Sequence, residues 1–573
     1  MLESLFIQLS LIIVIAVVIS VIMRILKQPL VIGYILTGIL VGPYFLNIAG
    51  SEQAIATFSK FGITFLLFVV GLSLEPSKIK KVGPVSLLTG LGQIIFTSGI
   101  GFLIARWLGF EMVSALYIAG ALTFSSTIII VKLLSDKKEM NTLHGRIMVG
   151  FLVVQDIVAA LLLMVIPLLA GGQSLQLQWN KIFLAFSLLA ISIPFGAFIL
   201  SPLSEKMARA QELLFLFAVG WVLLMALIVN FFSIPIEVGA LLAGVTLAAF
   251  PFSEEIKARM KPLRDFFLLF FFVWIGTQMM FANIAGLWPA ILLLSLFVLI
   301  GNPLIIMLLM KGLHYSKRTG FLSGLTGAQI SEFSLILMAM GVSLGHIQTE
   351  ALSLVTGVGL ITISVSTYLM IHSHKIYGKL SPSLSFFERK ADKIDAELVE
   401  LDQAYDIILF GCDRIGHNLL DILQEISDEL LIIDYNPEVV ESLSKRGFNA
   451  QYGDAKDPEL LDSLDLEGAE MIITTTPDFE ANSLVISETR ERNEDAVVLA
   501  ASYHLEDTIS LYEVGASYVF LPHLLVAKHA TSLIQEVGFD KERLKELREN
   551  HLERLEKLNE ENFDYQHEGG LLS

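Results

Sequence analysis

The sequence predicts two parts: an all-α polytopic membrane domain of thirteen transmembrane helices, then a smaller α/β domain in water. Three observations carry this. Of the 573 residues 54% are hydrophobic, and mean hydropathy is +0.68, too apolar for a chain that meets water throughout. Charge is divided, net +6 through residue 373 and −24 beyond it, for −18 overall. Apolar runs approaching the roughly 20 residues that cross a bilayer recur up to residue 372 and then stop. The expected layout is a membrane domain over 1–373, a linker over 374–403, an α/β domain over 404–537 and a charged tail over 538–573. Excess acid argues against a nucleic-acid partner, which needs clustered Lys and Arg. Cys412 is the only cysteine, so no disulfide closes within this sequence.

The apolar runs lie near 4–23, 29–46, 57–74, 84–106, 112–134, 144–170, 180–201, 211–231, 234–251, 262–280, 283–311, 318–344 and 348–372. The first has no small-residue cleavage site after it and is read as a span, not a signal peptide. Connections after odd-numbered spans carry 18 Lys and Arg, among them Arg24, Lys78, Lys137, Lys257 and Lys317. The opposite side holds only Lys60, Arg106 and Lys181. Basic residues stay on the cytoplasmic side, which puts the amino terminus outside and the acidic α/β domain in the cytoplasm. The expected location is the inner (plasma) membrane, with the lipid bilayer as a partner.

Two stretches repeat. PLVIGYILTG from Pro29 and PIEVGALLAG from Pro235 share Pro, Gly and Gly at one spacing, 206 residues apart. LLFVVGLS and FFFVWIGT place Gly71 and Gly276 at 205. Seven spans separate each pair, an odd number, so the copies have opposite topology. Inverted repeats of this kind belong to secondary transporters. The same offset links LTFSST (122–127) with AQISEF (328–333), each a polar interruption of an apolar span. Such clusters suit broken helices, whose freed backbone groups need hydroxyl partners. Ser125, Ser126, Thr127, Ser331 and Glu332 are therefore expected to line a crossing of two interrupted helices.

VVQDIVAALLL puts Asp156 inside the sixth span. An intramembrane carboxylate must be paired, hydrated or protonated, and marks an ion or proton pathway. One carboxylate can hold a proton or balance a cation, and that competition is the minimum an exchanger needs. Gln155 beside it can supply an amide oxygen. Glu237 is a candidate for the outer vestibule, Glu212 for an ion pair with Arg209, and Lys132 for a core pair or a snorkelling cation. No metal site is expected beyond the transported monovalent cation, and no enzymatic chemistry.

Past the linker, DIILFGCDRIGHNLLDIL reads as strand, glycine turn and helix, and ELLIID as a strand ending on Asp434. A Gly-x-Gly-x-x-Gly turn holds a pyrophosphate at a helix amino terminus, with the later acid on a ribose hydroxyl. Here Gly411 and Gly416 stand at the outer positions, Asp413 takes the middle one, and Arg414 and Ile415 complete the turn. NAQYGD, MIITTT, AVVLAAS and YVFLP supply four more strands, making a six-stranded Rossmann-like domain. Asp413 brings negative charge toward a phosphate; an adenine mononucleotide such as AMP needs less of that turn than an NAD(H)-like dinucleotide, and both stay open as the regulatory ligand.

With these motifs in place, the chain resembles the Kef-type potassium/proton antiporters of the monovalent cation:proton antiporter-2 family over nearly its whole length. GYILTGILVGP, FLLFVVGLSLEP, FSST, the Gln155–Asp156 pair and ISEF carry the resemblance. ILFGCDRIG and YGDAKDPELL, the latter with Asp454, resemble the RCK (TrkA-N) domain. The resemblance implies a thirteen-helix homodimer working by an elevator motion, Asp156 as carrier of ion and proton, and a regulatory nucleotide. It also allows an ancillary cytosolic subunit. Gln-Asp at the pair resembles the potassium-exporting branch, and one acid there implies electroneutral exchange of K+ for H+. Many sodium/proton relatives carry a base in the eleventh span, where LIGNPLII places Asn302. SEEIKARMKPLRD is mixed in sign, unlike the acidic loop of glutathione-gated members. A sodium/proton antiporter with the same site remains open. A potassium channel would need a filter like TVGYG, which is absent from the sequence, and a dehydrogenase would need a catalytic His or Lys beside the nucleotide.

Overall fold

The computed structural model describes residues 5–47, 52–73, 83–137, 139–140, 142–169, 187, 211–232, 234–248, 252–279, 281–387, 405–412, 415–549 and 551–552. The chain divides into two compact units, one of 1–140 with 144–389 and one of 141–143 with 390–573.

The first unit is helical. In order it holds α1 (Leu5–Ile25), α2 (Leu30–Val41), α3 (Glu52–Ser73), α4 (Pro84–Trp107), α5 (Met112–Ala121), α6 (Thr127–Asp136), α7 (Leu143–Leu169), α8 (Gln211–Phe231), α9 (Ile236–Ala248) and α10 (Ser253–Thr277). There follow α11 (Phe281–Leu296), a π turn (Phe297–Gly301), α12 (Asn302–Gly312), α13 (Lys317–Thr326), α14 (Glu332–Ser343), α15 (Thr349–Ile371) and α16 (Ser373–Leu380). Seven helices among the described residues are long and apolar enough to cross a membrane. Described helices occupy twelve of the thirteen expected stretches; 180–201 lies outside the described residues, apart from residue 187. Arg209, offered as the partner of Glu212, also lies outside them, and Glu212 is exposed. Lys132 is exposed too, as snorkelling requires. One boundary differs: α10 begins at Ser253, so SEEIKARM is helix rather than loop. Glu254 and Glu255 in its first turn face the partial positive charge of the helix amino terminus, and Arg259 pairs with Glu255 at 2.9 Å.

Glycines set how closely these helices approach. A Cβ on Gly38 would lie 2.8 Å from the Cα of Gly276, and one on Gly276 2.8 Å from the Cα of Gly38. Gly71 and Gly244 meet in the same way, a Cβ on Gly244 lying 2.8 Å from the Cα of Gly71 and one on Gly71 2.9 Å from the Cα of Gly244. So α2 crosses α10 and α3 crosses α9 backbone to backbone, at the glycines of the two repeated stretches. Around these crossings α1, α2, α3, α8, α9 and α10 form one bundle. A second is built by α4 on α5 and α12, α12 on α13, α5 on α14, and α15 on α11 and α14. Between them runs α7. Its first half packs on α4, where Val154 meets Gly90, and its second half puts Ala160, Met164 and Leu168 against α8 and α9.

The second unit carries a six-stranded parallel sheet, β1 (Ile407–Phe410), β2 (Leu430–Asp434), β3 (Asn449–Tyr452), β4 (Met471–Thr474), β5 (Val497–Ala501) and β6 (Tyr518–Phe520), in the order β3-β2-β1-β4-β5-β6. This is the doubly wound Rossmann order. Each strand falls on one of the six predicted runs. Ile408, Phe410, Leu431 and Ile433 point to one face, Ile407, Leu409, Ile432 and Leu430 to the other. Both faces are buried, as expected where helices cover both sides of a parallel sheet.

Candidate functional site

Two helices of the first unit are interrupted where the polar stretches predicted. α5 ends at Ala121 and α6 starts at Thr127; α13 ends at Thr326 and α14 starts at Glu332. Ser126 and Ser331 are the N-caps, which satisfies backbone donors freed by each break. Ser126 Oγ accepts from the Ile129 amide at 3.4 Å. Ser331 Oγ accepts from the Phe333 amide, and Ser334 closes a capping box. The two breaks touch. Ser126 Oγ donates to Glu332 Oε2 at 2.9 Å, and Ser125 Oγ to the Gly327 carbonyl at 3.4 Å. Ser331 Oγ also donates to Glu332 Oε2, at 3.4 Å.

Asp156 reaches this crossing from the middle of α7. The Thr127 hydroxyl lies 3.1 Å from both of its carboxylate oxygens. Two carboxylates, Asp156 and Glu332, are thus held at the first residues of two half-helices, where the macrodipoles present partial positive charge. Among the described residues no basic side chain pairs with either. Thr127, Ser126, Ser331, Glu332 and Asp156 therefore form one constellation. Gln155 does something else: its amide oxygen accepts from the Ser125 backbone at 2.9 Å, and its nitrogen donates to Gln93 Oε1 at 2.7 Å and to the Thr123 carbonyl at 2.8 Å. Gln93 and Thr97 are absent from the sequence reading. They belong to the buried face of α4, with Ser86, Thr89, Gly90, Gly101 and Ala105, while Leu87, Leu88, Ile95 and Leu103 are exposed. That polar stripe within a span was the available signal.

Just beyond α6, Glu139 meets Lys137 at 2.7 Å, His374 at 2.8 Å and His144 at 3.3 Å. Burial alone would raise its pKa, but the two histidine hydrogen bonds and the lysine charge hold it well below the usual carboxylate range. This cluster ties the α6–α7 connection to α16.

In the sheet unit, Gly411 adopts φ +85°, and a Cβ on Gly416 would meet the Gly411 carbonyl at 2.1 Å, so the turn requires glycine at both places. Asp413 and Arg414 lie outside the described residues. Ile415 is half-buried in the same turn. Asp434 is buried, and its two oxygens accept from the Cys412 and Asn436 amides at 2.7 and 2.8 Å. It pins the glycine turn to the end of β2. Asp454 accepts from the Lys456 amide at 3.0 Å. A regular helix begins only at Leu420, after a 3-10 turn over His417–Leu419.

The family model for the transmembrane part of the sodium/hydrogen exchanger matches residues 11–371, and that for the TrkA-N domain matches residues 407–522. K(+) efflux antiporter 5 of Arabidopsis thaliana is 32% identical over 369 residues, 61% of this chain and 64% of its own length. K(+) efflux antiporter 6 of the same plant is 32% identical over 352 residues, 57% of this chain and 58% of its own. Less than two thirds of either plant protein is thus spanned. The glutathione-regulated potassium-efflux system protein KefC of Escherichia coli is 26% identical over 492 residues, 85% of this chain and 77% of its own length. The matched exchanger segment takes in the repeated glycines, both breaks and Asp156, and on that match the chain belongs to the sodium/hydrogen exchanger family, with a TrkA-N domain after the membrane part.

Proposed function

We propose that this chain is a monovalent cation/proton antiporter of the inner membrane that exchanges K+ for H+ one for one. The observation that carries the reading is the Thr127 hydroxyl set 3.1 Å from both oxygens of Asp156, at the amino terminus of a half-helix. In this reading Asp156 alternates between a proton and a cation, while Ser126 and Ser331 hold Glu332 in place beside it. Asn302 rather than a base in the eleventh span, and the lack of a described basic partner for Asp156, support electroneutral exchange. Relatives named as potassium-efflux proteins support K+ over Na+.

The movement is an elevator. The crossed helices and α7 travel as a body against the bundle locked by the glycine crossings, in a homodimer. Opposite topology of the repeated glycine stretches supports two outward- and inward-facing states of similar energy. The RCK (TrkA-N) unit lies in the cytoplasm and controls the rate through an adenine nucleotide, AMP or an NAD(H)-like ligand, held by the Gly411–Gly416 turn, Asp434 and Asp454. An ancillary cytosolic subunit would act through the same unit.

Asp156→Asn tests the ion site, because an amide neither takes a proton at neutral pH nor balances a cation. The expected result is complete loss of cation-driven proton flux in protein that still elutes and melts as wild type. Flux at the wild-type level in that protein removes Asp156 from the site.

A further inference from the structure

We propose that Gln93, Thr97 and Asn302 are positioning residues that fix the break between α5 and α6 and thereby place Ser126 and Thr127 on the two carboxylates. The inference rests on the antiporter reading above. Its observation is a continuous chain of neutral hydrogen bonds through three spans. Gln155 donates to Gln93 at 2.7 Å, Gln93 Nε2 donates to Thr97 Oγ1 at 3.1 Å, and Thr97 donates to Asn302 Oδ1 at 2.9 Å. All four side chains are at most 1% exposed.

Each end of the chain of bonds closes on the break. An interrupted helix leaves carbonyls without amide partners at its carboxyl end, and buried carbonyls need donors. Asn302 Nδ2 donates to the Leu122 carbonyl at 3.4 Å. Gln93 Nε2 and Gln155 Nε2 both donate to the Thr123 carbonyl, at 3.2 and 2.8 Å. Gln155 Oε1 takes the Ser125 amide. Three carboxamides therefore supply, without formal charge, the donors that a cationic side chain could have brought to this negative helix end. Asn302 reaches it because a π turn precedes it. Such turns add a residue to one helical round and are frequent at functional sites. Gly301 makes room, since a Cβ there would meet the Phe297 ring at 2.7 Å.

The crossing is thus divided. Carbonyls at the end of α5 are committed to carboxamides, and the Gln155 oxygen is turned to the Ser125 amide. Ligands for the cation come from the other side, the first residues of α6 and α14. Only two residues separate Thr123 from Ser126, so loosening one end displaces the other.

The experiment measures cation-driven proton flux of the full chain in liposomes, for Thr97→Val, Thr97→Ser and Gln93→Met. Thr246→Val serves as control, a buried hydroxyl bonded only to Leu242 of its own helix. The expected result is an apparent KM for the cation raised about tenfold in Thr97→Val and Gln93→Met, the scale of one misplaced hydrogen bond, with kcat within about twofold. Thr97→Ser restores the donor and the wild-type KM, and the control changes nothing. A wild-type KM in Thr97→Val overturns the proposal. So does a Thr97→Ser variant as impaired as Thr97→Val, which would make packing the cause. Failure of both Thr97→Val and Gln93→Met to fold assigns the chain of bonds to stability alone and also overturns it. Wild-type protein that moves no protons on a cation pulse defeats the antiporter reading instead, a separate outcome.

Discussion

Gly276→Ala puts the packing of the glycine-locked bundle to a quantitative test. The new methyl carbon would sit 2.3 Å from the Ile35 carbonyl oxygen and 2.8 Å from the Cα of Gly38, against 3.4–4 Å for ordinary contact. Both neighbours are backbone, so no side chain can turn away, and α2 and α10 must part by ~1 Å. Overpacking of this kind costs about 1–3 kcal/mol and can exceed it. Gly71→Ala should cost a similar amount, because its methyl would lie 2.5 Å from the Leu241 carbonyl oxygen and 2.9 Å from the Cα of Gly244. Gly38→Ala together with Gly276→Ala should cost less than the two single changes added, since one separation of the helices serves both. Gly99→Ala is the control: it lies in α4 with nothing within 4 Å, and alanine is the better helix former. Thermal melts of the full chain in one detergent compare the wild type with the four single variants and the double. The packing account requires a clear fall in Tm for Gly276→Ala and Gly71→Ala and none for Gly99→Ala. Equal melting of Gly276→Ala and Gly99→Ala would refute the close crossing.

Two further predictions concern the sheet unit. Asp434→Ala removes the acceptor of two backbone amides and is expected to lower AMP affinity and Tm while leaving nucleotide-free exchange intact; equilibrium binding of AMP and flux without nucleotide check both. Asp478 caps the helix over Phe479–Arg492 and meets Lys456 at 2.8 Å. Burial opposes ionisation there, but the Lys456 hydrogen bond, the Ala481 amide and the Lys456 charge outweigh it and lower the pKa. A group depressed in the folded state stabilises above its unfolded value, about 3.9, and loses that contribution as pH falls through the folded value. Wild type should therefore melt above Asp478→Asn at pH 7, and the gap should close below about pH 4. A gap independent of pH would contradict the ionised cap.

Much of the crossing was legible because lipid makes polar residues conspicuous. FSST and ISEF stand out in apolar runs, and serines before a helical run are cap signals, so both breaks fell where expected. Asp156 was legible for the same reason. Pairings were not. Ser126 meets Glu332 across 206 residues and Thr97 meets Asn302 across 205, and no local pattern states which distant partner a hydroxyl finds. Gln93 and Thr97 were overlooked as single polar residues in a long span, although their four-residue spacing already placed them on one helix face. Gln155 shows the limit of reading by residue type. A carboxamide beside a carboxylate can face an ion or a backbone, and only the free carbonyl at Thr123 decides between them. In the sheet unit β1, β2, β4 and β5 were plain from their apolar runs, whereas Asp434's two amide bonds depend on how the glycine turn folds back over β2.

Central to the account is a carboxylate that trades one proton for one potassium ion without moving net charge. The most direct test reconstitutes the full chain in liposomes, imposes a K+ or Na+ gradient, and follows internal pH with the membrane voltage either free or clamped by an ionophore that carries neither cation. The account predicts proton movement driven by K+ in preference to Na+, at a rate that voltage does not alter. Na+ preference, a rate that follows voltage, or K+ current without proton movement would each contradict it.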